Sequence, residues 1–143
     1  MAAYTGPFPY TNAGTVTAIN VINTTFSGNV GNSGTITGPL TVTNSRINGE
    51  IFDNGFIGGG ILIDSASIVS AGSSSAIAIF GARFAGGITN AGTIASGEVG
   101  IDIDGTSTFS GGITNTGTIS SFYTAIEDFC FDVPRRHQQQ RLD

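Results

Sequence analysis

The sequence predicts an all-β fold, a parallel β-solenoid of about six coils. Three observations support this prediction: a repeat of about 20 residues, a two-residue spacing of apolar positions within each repeat, and an unusual composition. The chain has 143 residues, of which 22 are glycine and only 10% are charged, whereas charged residues make up about 25% of typical soluble domains. The length fits a single domain.

The repeat appears when segments of the chain are aligned without gaps. Four of them share the pattern [Phe/Ile]-x-Gly-x-[Ile/Val]-x-[Asn/Asp]-x-Gly-x-Ile, at residues 25–36, 46–57, 83–94 and 108–119. Weaker copies lie at residues 10–16 and 68–72. Counted at the Asn position, the copies follow one another at steps of 20, 21, 17, 20 and 25 residues. Such a period is typical of a solenoid.

Within each unit the shared positions lie two residues apart, which is the period of a β-strand. The side chains predicted to point inward are Phe26, Val30 and Ile36, then Phe84, Ile88 and Ile94, then Phe109, Ile113 and Ile119. Further short strands are predicted at residues 16–22, 40–43, 60–63, 77–80 and 99–103. Helix formers are scarce before Phe122, so no helix is predicted there.

A unit of 20 residues cannot bury its own apolar face, so each unit must stack on its neighbours. Stacking places equivalent residues over one another, Phe26 near Ile47 and Phe84 near Phe109. We also expect Asn12, Asn32, Asn90 and Asn115 to form one row of hydrogen-bonded amides. The glycine two residues after each Asn is expected to adopt a positive φ. A flexible Gly/Ser/Thr-rich segment and an antiparallel β-sandwich are the alternatives.

Two segments carry a family resemblance. Residues 87–97, Gly-Ile-Thr-Asn-Ala-Gly-Thr-Ile-Ala-Ser-Gly, and their echo at 112–121 resemble the I-T-N-x-G-T-I repeats of bacterial autotransporter passenger regions. The resemblance covers about residues 10–121. It implies a right-handed parallel β-helix, located outside the cell or on the bacterial cell surface. Because the sequence shows neither a signal peptide nor a translocator barrel, we expect a fragment, a truncated relative or a stand-alone solenoid.

The composition changes at Phe122, where glycine and the repeat disappear. We therefore expect a solenoid repeat domain at residues 1–121 and a C-terminal cap with a polar tail at residues 122–143. In the cap, Ile126, Phe129 and Val133 are predicted to face inward. Residues 135–143 are interpreted as a solvated tail or as sequence added to the natural chain.

The charge pattern excludes several function classes. The net charge is −5 and the chain has five arginines but no lysine, so it is not expected to bind nucleic acid. Without lysine there is no phosphate-binding P-loop and no Schiff-base chemistry. No apolar run approaches the roughly 18 residues of a membrane span. Cys130 is the single cysteine and has no partner for an internal disulfide.

Few residues are candidates for chemistry. Asp102 and Asp104 lie two apart on a predicted strand, about 7 Å from each other, a separation that suits a glycosidase pair or a cation site. The favoured interpretation is that both carboxylates face solvent, on the side of the strand opposite the inward Ile101 and Ile103. Residues 58–64 resemble a calcium-binding nonapeptide but have the Asp one place late. His137 and Cys130 lack recognisable partners. The sequence therefore predicts no catalytic, cofactor-binding or metal-binding residue, and no cofactor.

The leading functional hypothesis is a non-enzymatic structural or adhesive protein that assembles end to end into fibres, because its N-terminal end is poor in charge. The alternative is a module that binds glycans or ice through outward Thr, Asn and Ser side chains. Its motif is the Thr-x-Thr pair at residues 15–17, 35–37 and 41–43. A polysaccharide-cleaving enzyme would need Asp102 and Asp104 in a groove.

Overall fold

The computed structural model describes residues 3–81, 83–105 and 108–129 and confirms the parallel β-solenoid. Its 21 strands form four parallel sheets, and each coil adds one strand to each sheet in turn. The expectations for Cys130, Val133, His137, the inward side chain of Phe129 and the tail at residues 135–143 lie outside what the structure describes.

We number the sheets in the order in which the chain visits them. Sheet 1 holds β1 (Tyr10–Asn12), β5 (Val30–Asn32), β9 (Ile51–Asp53), β13 (Ile77–Ile79), β17 (Val99–Asp104) and β21 (Thr124–Phe129). Sheet 2 holds β2 (Thr15–Val16), β6 (Thr35–Ile36), β10 (Phe56–Ile57), β14 (Arg83–Phe84) and β18 (Thr108–Phe109). Sheet 3 holds β3 (Ile19–Ile22), β7 (Leu40–Thr43), β11 (Ile61–Ile63), β15 (Ile88–Asn90) and β19 (Ile113–Asn115). Sheet 4 holds β4 (Thr25–Ser27), β8 (Arg46–Asn48), β12 (Ile68–Ala71), β16 (Thr93–Ser96) and β20 (Thr118–Ser121).

The described residues form five complete coils and the first strand of a sixth, close to the six coils predicted. That last strand, β21, pairs with β17 in parallel, with Ile126 opposite Ile101. The stack therefore continues past residue 121, where the sequence indicated a change of composition. Ile126 packs against the core, as expected for an inward position.

The core is a column of branched aliphatic and aromatic side chains along the axis. Eight of the nine side chains predicted to face inward are at most 1% exposed, and the ninth, Phe26, is half-buried. Phe84 stacks on Phe109 with ring centroids 5.0 Å apart, and Phe26 lies opposite Ile47. Burying each of these large side chains contributes about 1.5–3 kcal/mol. The predicted coil-on-coil stacking of the core is confirmed.

The length of the coil changes along the stack. Asn12 and its register partner Asn32 are 20 residues apart, whereas Asn90 and Asn115 are 25 apart. The predicted unit of about 20 residues holds for the early coils only. The longer coils begin after β12, where residues 72–76 separate it from β13.

The prediction of a single Asn row at 12, 32, 90 and 115 is wrong. Asn12 and Asn32 end strands of sheet 1, whereas Asn90 and Asn115 end strands of sheet 3. The same Asn-x-Gly turn therefore serves the corner between sheets 1 and 2 in the early coils and the corner between sheets 3 and 4 in the late coils. Aligning the motif without gaps hides this half-coil displacement, because both corners join two strands in the same way.

The role predicted for the glycine after each Asn is also wrong. Gly34 and Gly117 do not have a positive φ. A Cβ atom on either glycine would collide with the carbonyl oxygen of the equivalent glycine in the preceding coil, Gly14 or Gly92. Glycine is needed there because backbones of successive coils stack closely, not because of a left-handed conformation. Among the described residues, most glycines with a positive φ lie instead at the corner between sheets 2 and 3, as Gly112 does.

The N-terminal end of the stack is covered by residues 3–9. Tyr4 forms a parallel bridge to Ile19 at the edge of β3, and Phe8 stacks on Phe26 with centroids 5.2 Å apart. In the fifth coil, Phe109 and Ile119 are fully buried. Residues 3–9 thus cover the apolar column of the first coil only in part, since Val16 and Phe26 stay half-buried.

Asn32 is the residue whose replacement tests the buried polar part of this architecture. Asn32→Ala removes an amide that bonds to both neighbouring coils and leaves buried backbone groups unpaired. We expect the free energy of unfolding to fall by about 3 kcal/mol, measured by urea denaturation. The control, Asn54→Ala, changes an exposed Asn and should stay within about 0.5 kcal/mol of the parent. Equal effects of the two substitutions would contradict the ladder.

Candidate functional surfaces

The first polar feature is a buried ladder at the corner between sheets 1 and 2, formed by Asn12, Asn32 and Asp53. These residues are at most 2% exposed. The Nδ2 of Asn12 donates to the Oδ1 of Asn32 at 2.8 Å, and the Nδ2 of Asn32 donates to the Oδ1 of Asp53 at 2.8 Å. Each Asn also donates to the carbonyl of the glycine two residues later, Gly14 or Gly34, at 3.1 Å. The ladder thus satisfies buried polar groups along the axis.

A second ladder repeats this geometry at the corner between sheets 3 and 4. The Nδ2 of Asn90 donates to the Oδ1 of Asn115 at 2.8 Å and to the carbonyl of Gly92 at 3.2 Å. The Oδ1 of Asn90 accepts the backbone N–H of Gly92 at 3.1 Å. Both ladders have a structural role, since each of their Asn side-chain amides donates hydrogen bonds within its own coil or to a neighbouring coil.

Asp53 ends the first ladder with a carboxylate in place of an amide. Its Oδ1 accepts hydrogen bonds from Asn32 and from the N–H of Gly55, but among the described residues its buried Oδ2 has no hydrogen-bond partner. Burial raises the pKa of Asp53 above its usual 3.8, while the bonds from Asn32 and Gly55 act in the opposite direction. The side chain is fully buried, so its charged form is costly.

The second candidate surface is an acidic patch on the outer face of sheet 1. Asp102 and Asp104 lie on the same face of β17, as predicted, with Ile101 and Ile103 fully buried on the other. Asp102 lies opposite Glu127 of β21. Burial raises the pKa of Asp102, and the negative charges of Glu127, Asp104 and Glu98 raise it further. The patch is therefore a set of mutually repelling carboxylates.

Glu50 belongs to the same patch although it precedes β9. Burial raises its pKa, and the charge of Asp102 raises it further. Ala78, which lies between Phe52 and Asp102 on this face, is buried. Sequence reasoning missed Glu50 and Glu127. Glu127 lies 25 residues after Asp102 and pairs with it, and the same spacing separates Asn90 from Asn115 in the last repeat. Glu127 could therefore have been found from the sequence, whereas no sequence pattern indicated Glu50.

Hydrogen bonds to the patch are few. The hydroxyl of Ser75 donates to the Oδ2 of Asp102 at 3.5 Å, and the Oδ1 of Asp102 is buried without a partner among the described residues. Within that part of the chain, no group of three His, Cys, Asp or Glu residues is arranged to hold a metal ion.

The predicted threonine ranks do not form a single array. Thr15 pairs with Thr35 on sheet 2, but the next outward residues along that row are Phe56 and Arg83. The Arg83 guanidinium lies 4.6 Å from the centre of the Phe56 ring, a cation–π contact. The third pair, at residues 41 and 43, lies on sheet 3.

The segment that resembled a calcium motif, residues 58–64, forms the corner before β11 and that strand itself. The Asp64 carboxylate accepts hydrogen bonds from the hydroxyl of Ser67 and from the backbone N–H groups of Asn44 and Ala66. The bond from Ser67 lowers the pKa of Asp64, and the two backbone bonds add to that effect while burial opposes it. Asp64 thus closes a turn next to the outer amide pair Asn23 and Asn44.

No pocket opens among the residues that the structure describes. Those residues also contain no helix long and apolar enough to cross a lipid bilayer. Comparisons with protein-family models, with curated proteins and with solved structures found no match to this chain.

Asp53→Asn tests the end of the first ladder. By analogy with Asn32, an amide at position 53 donates to the carbonyl of Gly55, so we expect the free energy of unfolding at pH 7 to rise by about 1 kcal/mol. The raised pKa means that the stability contributed by the protonated form of Asp53 is fully present below 3.8 and is lost as the pH rises through the folded-state pKa. The advantage of the variant therefore shrinks as the pH falls towards 4, in urea titrations at several pH values.

Asp64→Asn provides a control of opposite sign. The lowered pKa of Asp64 contributes stability above 3.8 that is lost as the pH falls, so this variant should be less stable than the parent at pH 7. An effect of Asp53→Asn that is destabilising at pH 7, or independent of pH, would contradict the account of the buried carboxylate.

Proposed function

We propose that this chain is a non-enzymatic structural or adhesive protein, similar to an autotransporter passenger, that acts outside the cell or on a bacterial cell surface and associates end to end. The observation that supports the proposal is the in-register stack. Four parallel sheets run through all five coils without a change of order. The backbone hydrogen bonds of every coil therefore point along the axis.

Such a stack has a preferred direction of association. A second copy placed in the same orientation on the axis presents strands parallel to those at the first copy's end. Because this contact is head to tail and does not close, repeated contacts give fibres and not closed dimers. The proposal thus follows from how one coil adds to another within the chain.

Glycan recognition is the second candidate function. The outward row on sheet 3 contains Asn20, Thr41, Leu62, Thr89 and Thr114, so four of its five side chains offer hydrogen-bonding groups. The Thr41 hydroxyl donates to the Oδ1 of Asn20 at 2.8 Å, which orients both groups at the surface. Ice binding has less support, because the threonine rank of sheet 2 is interrupted by Phe56 and Arg83.

The proposed association predicts fibres. At high concentration over days, the full chain should form elongated particles that are visible by negative-stain electron microscopy, with light scattering that rises with concentration. A chain that stays a monodisperse monomer under these conditions would contradict end-to-end association. A glycan array and a thermal-hysteresis measurement on the same sample test the second candidate.

A further inference from the structure

The N-terminal end of the stack is an incompletely covered edge. The inward residues Tyr10, Val16 and Phe26 of the first coil are only partly buried. Their register partners one coil further on, Val30, Ile36 and Ile47, are fully buried. The difference arises because a complete coil covers the second set on either side, while residues 3–9 cover the first set on one side.

The contacts of residues 3–9 show what this edge accepts. The N–H of Tyr4 donates to the carbonyl of Ala18 at 2.8 Å, and the N–H of Asn20 donates to the carbonyl of Tyr4 at 2.8 Å. Tyr4 therefore bridges to Ile19 as a parallel strand would. The edge of β3 accepts a parallel strand, in the same orientation as the next coil of a stack.

Residues 3–9 pair with only a short part of the β3 edge. Tyr4 makes one bridge to β3, whereas β7, on the other side of β3, pairs with it over four residues. The remaining contacts are aromatic: the rings of Tyr4 and Tyr10 stack with centroids 3.5 Å apart, and Phe8 stacks on Phe26. A full coil would pair with more of the edge than residues 3–9 do.

Charge does not protect this edge. The first charged side chain in the sequence is Arg46, so the strands of the first coil carry none of the charges that discourage edge-to-edge pairing. Proline is the other common protection, and Pro7 and Pro9 lie in the covering segment. A methyl group on Gly28 would collide with the Pro9 ring, so the proline lies directly on the corner after β4.

We infer that the edge formed by β3 and β4 is a docking surface for a second copy of this chain, and that residues 3–9 occupy it in the single chain. The inference rests on the proposed end-to-end association. Residues 3–9 cover the stack end with two backbone hydrogen bonds and a cluster of rings, and the coil of another molecule replaces them with full strand pairing. Association at this end is therefore limited by displacement of the segment.

The test compares the full chain with a variant lacking residues 2–9. Sedimentation velocity should show the full chain mainly as monomer at early times, and the truncated chain as elongated oligomers. A synthetic peptide of residues 1–9, added in excess, should return the truncated chain to monomer. Circular dichroism checks that the truncated chain keeps its β-structure.

If the truncated chain does not fold, Phe8→Asp serves in its place, because it puts a charge against Phe26 and loosens the segment without shortening the chain. Its matched control is Phe80→Asp, which makes the same change at an aromatic that is 43% exposed on a later coil. Only Phe8→Asp should promote oligomers. Oligomers from both variants, or from neither, would overturn the inference.

The outcomes separate the inference from the proposed function. If the full chain forms fibres as fast as the truncated chain, residues 3–9 do not limit association, and the inference fails while the proposed association stands. If no variant assembles, yet a fluorescently labelled peptide of residues 1–9 binds the truncated chain, the proposed association fails. Docking of a second copy is then overturned as well, and the result verifies only that residues 3–9 bind the edge formed by β3 and β4.

Discussion

Continuity between adjacent coils is the constraint on which the rest of the structure depends. Each backbone bonds to the coils before and after it, so a side chain at one level must fit the side chain at the next. Apolar residues meet this condition by packing, as in the contact between Phe84 and Phe109. Buried amides meet it by bonding along the axis, as Asn12 does to Asn32. Where backbones approach each other most closely, as at Gly34, only glycine fits.

The same constraint explains the two places where carboxylates lie in unfavourable surroundings. Asp53 closes an amide ladder, and the register places Ile79 of the next coil opposite it. A buried carboxylate oxygen is therefore left without a partner among the described residues. At the acidic patch, register brings Asp102 and Glu127 to the same height of neighbouring strands, where like charges repel. Both features follow from the coil spacing and not from a pocket or a groove.

Much of the fold could be predicted from the sequence. Two-residue spacing identified inward side chains such as Ile36 and Ile94, because alternation along a strand depends only on local geometry. Register between distant units could not be read in the same way. The motif at Asn32 and the motif at Asn90 look alike, since each describes a turn between two strands and not its place on the coil. What differs is the strand that carries the motif: Asn32 ends β5 of sheet 1, whereas Asn90 ends β15 of sheet 3, two strands after β13.

The surfaces were less predictable than the core. Asp102 and Asp104 were identified because they lie close in sequence, whereas Glu50 joins the patch only through the coil geometry. The position of residues 3–9 over the first coil could not be predicted either, because the bridge from Tyr4 to β3 lies outside the repeat pattern. Functional proposals for such a molecule therefore rest on faces and ends that exist only once the coils are assembled.

Disulfide trapping tests the half-coil displacement of the motif most directly, in a chain whose native cysteine is replaced by Cys130→Ser. The structure pairs Phe56 with Arg83 on adjacent parallel strands, whose spacing of about 4.8 Å allows a disulfide. The gap-free motif alignment instead stacks the unit around Asn90 on the copy at residues 68–72, which would place Ser73 beside Thr93. We predict that Phe56→Cys with Arg83→Cys cross-links within the folded monomer and that Ser73→Cys with Thr93→Cys does not, because the structure pairs Thr93 with Ile68. The reverse result would contradict the register on which this account of the molecule rests.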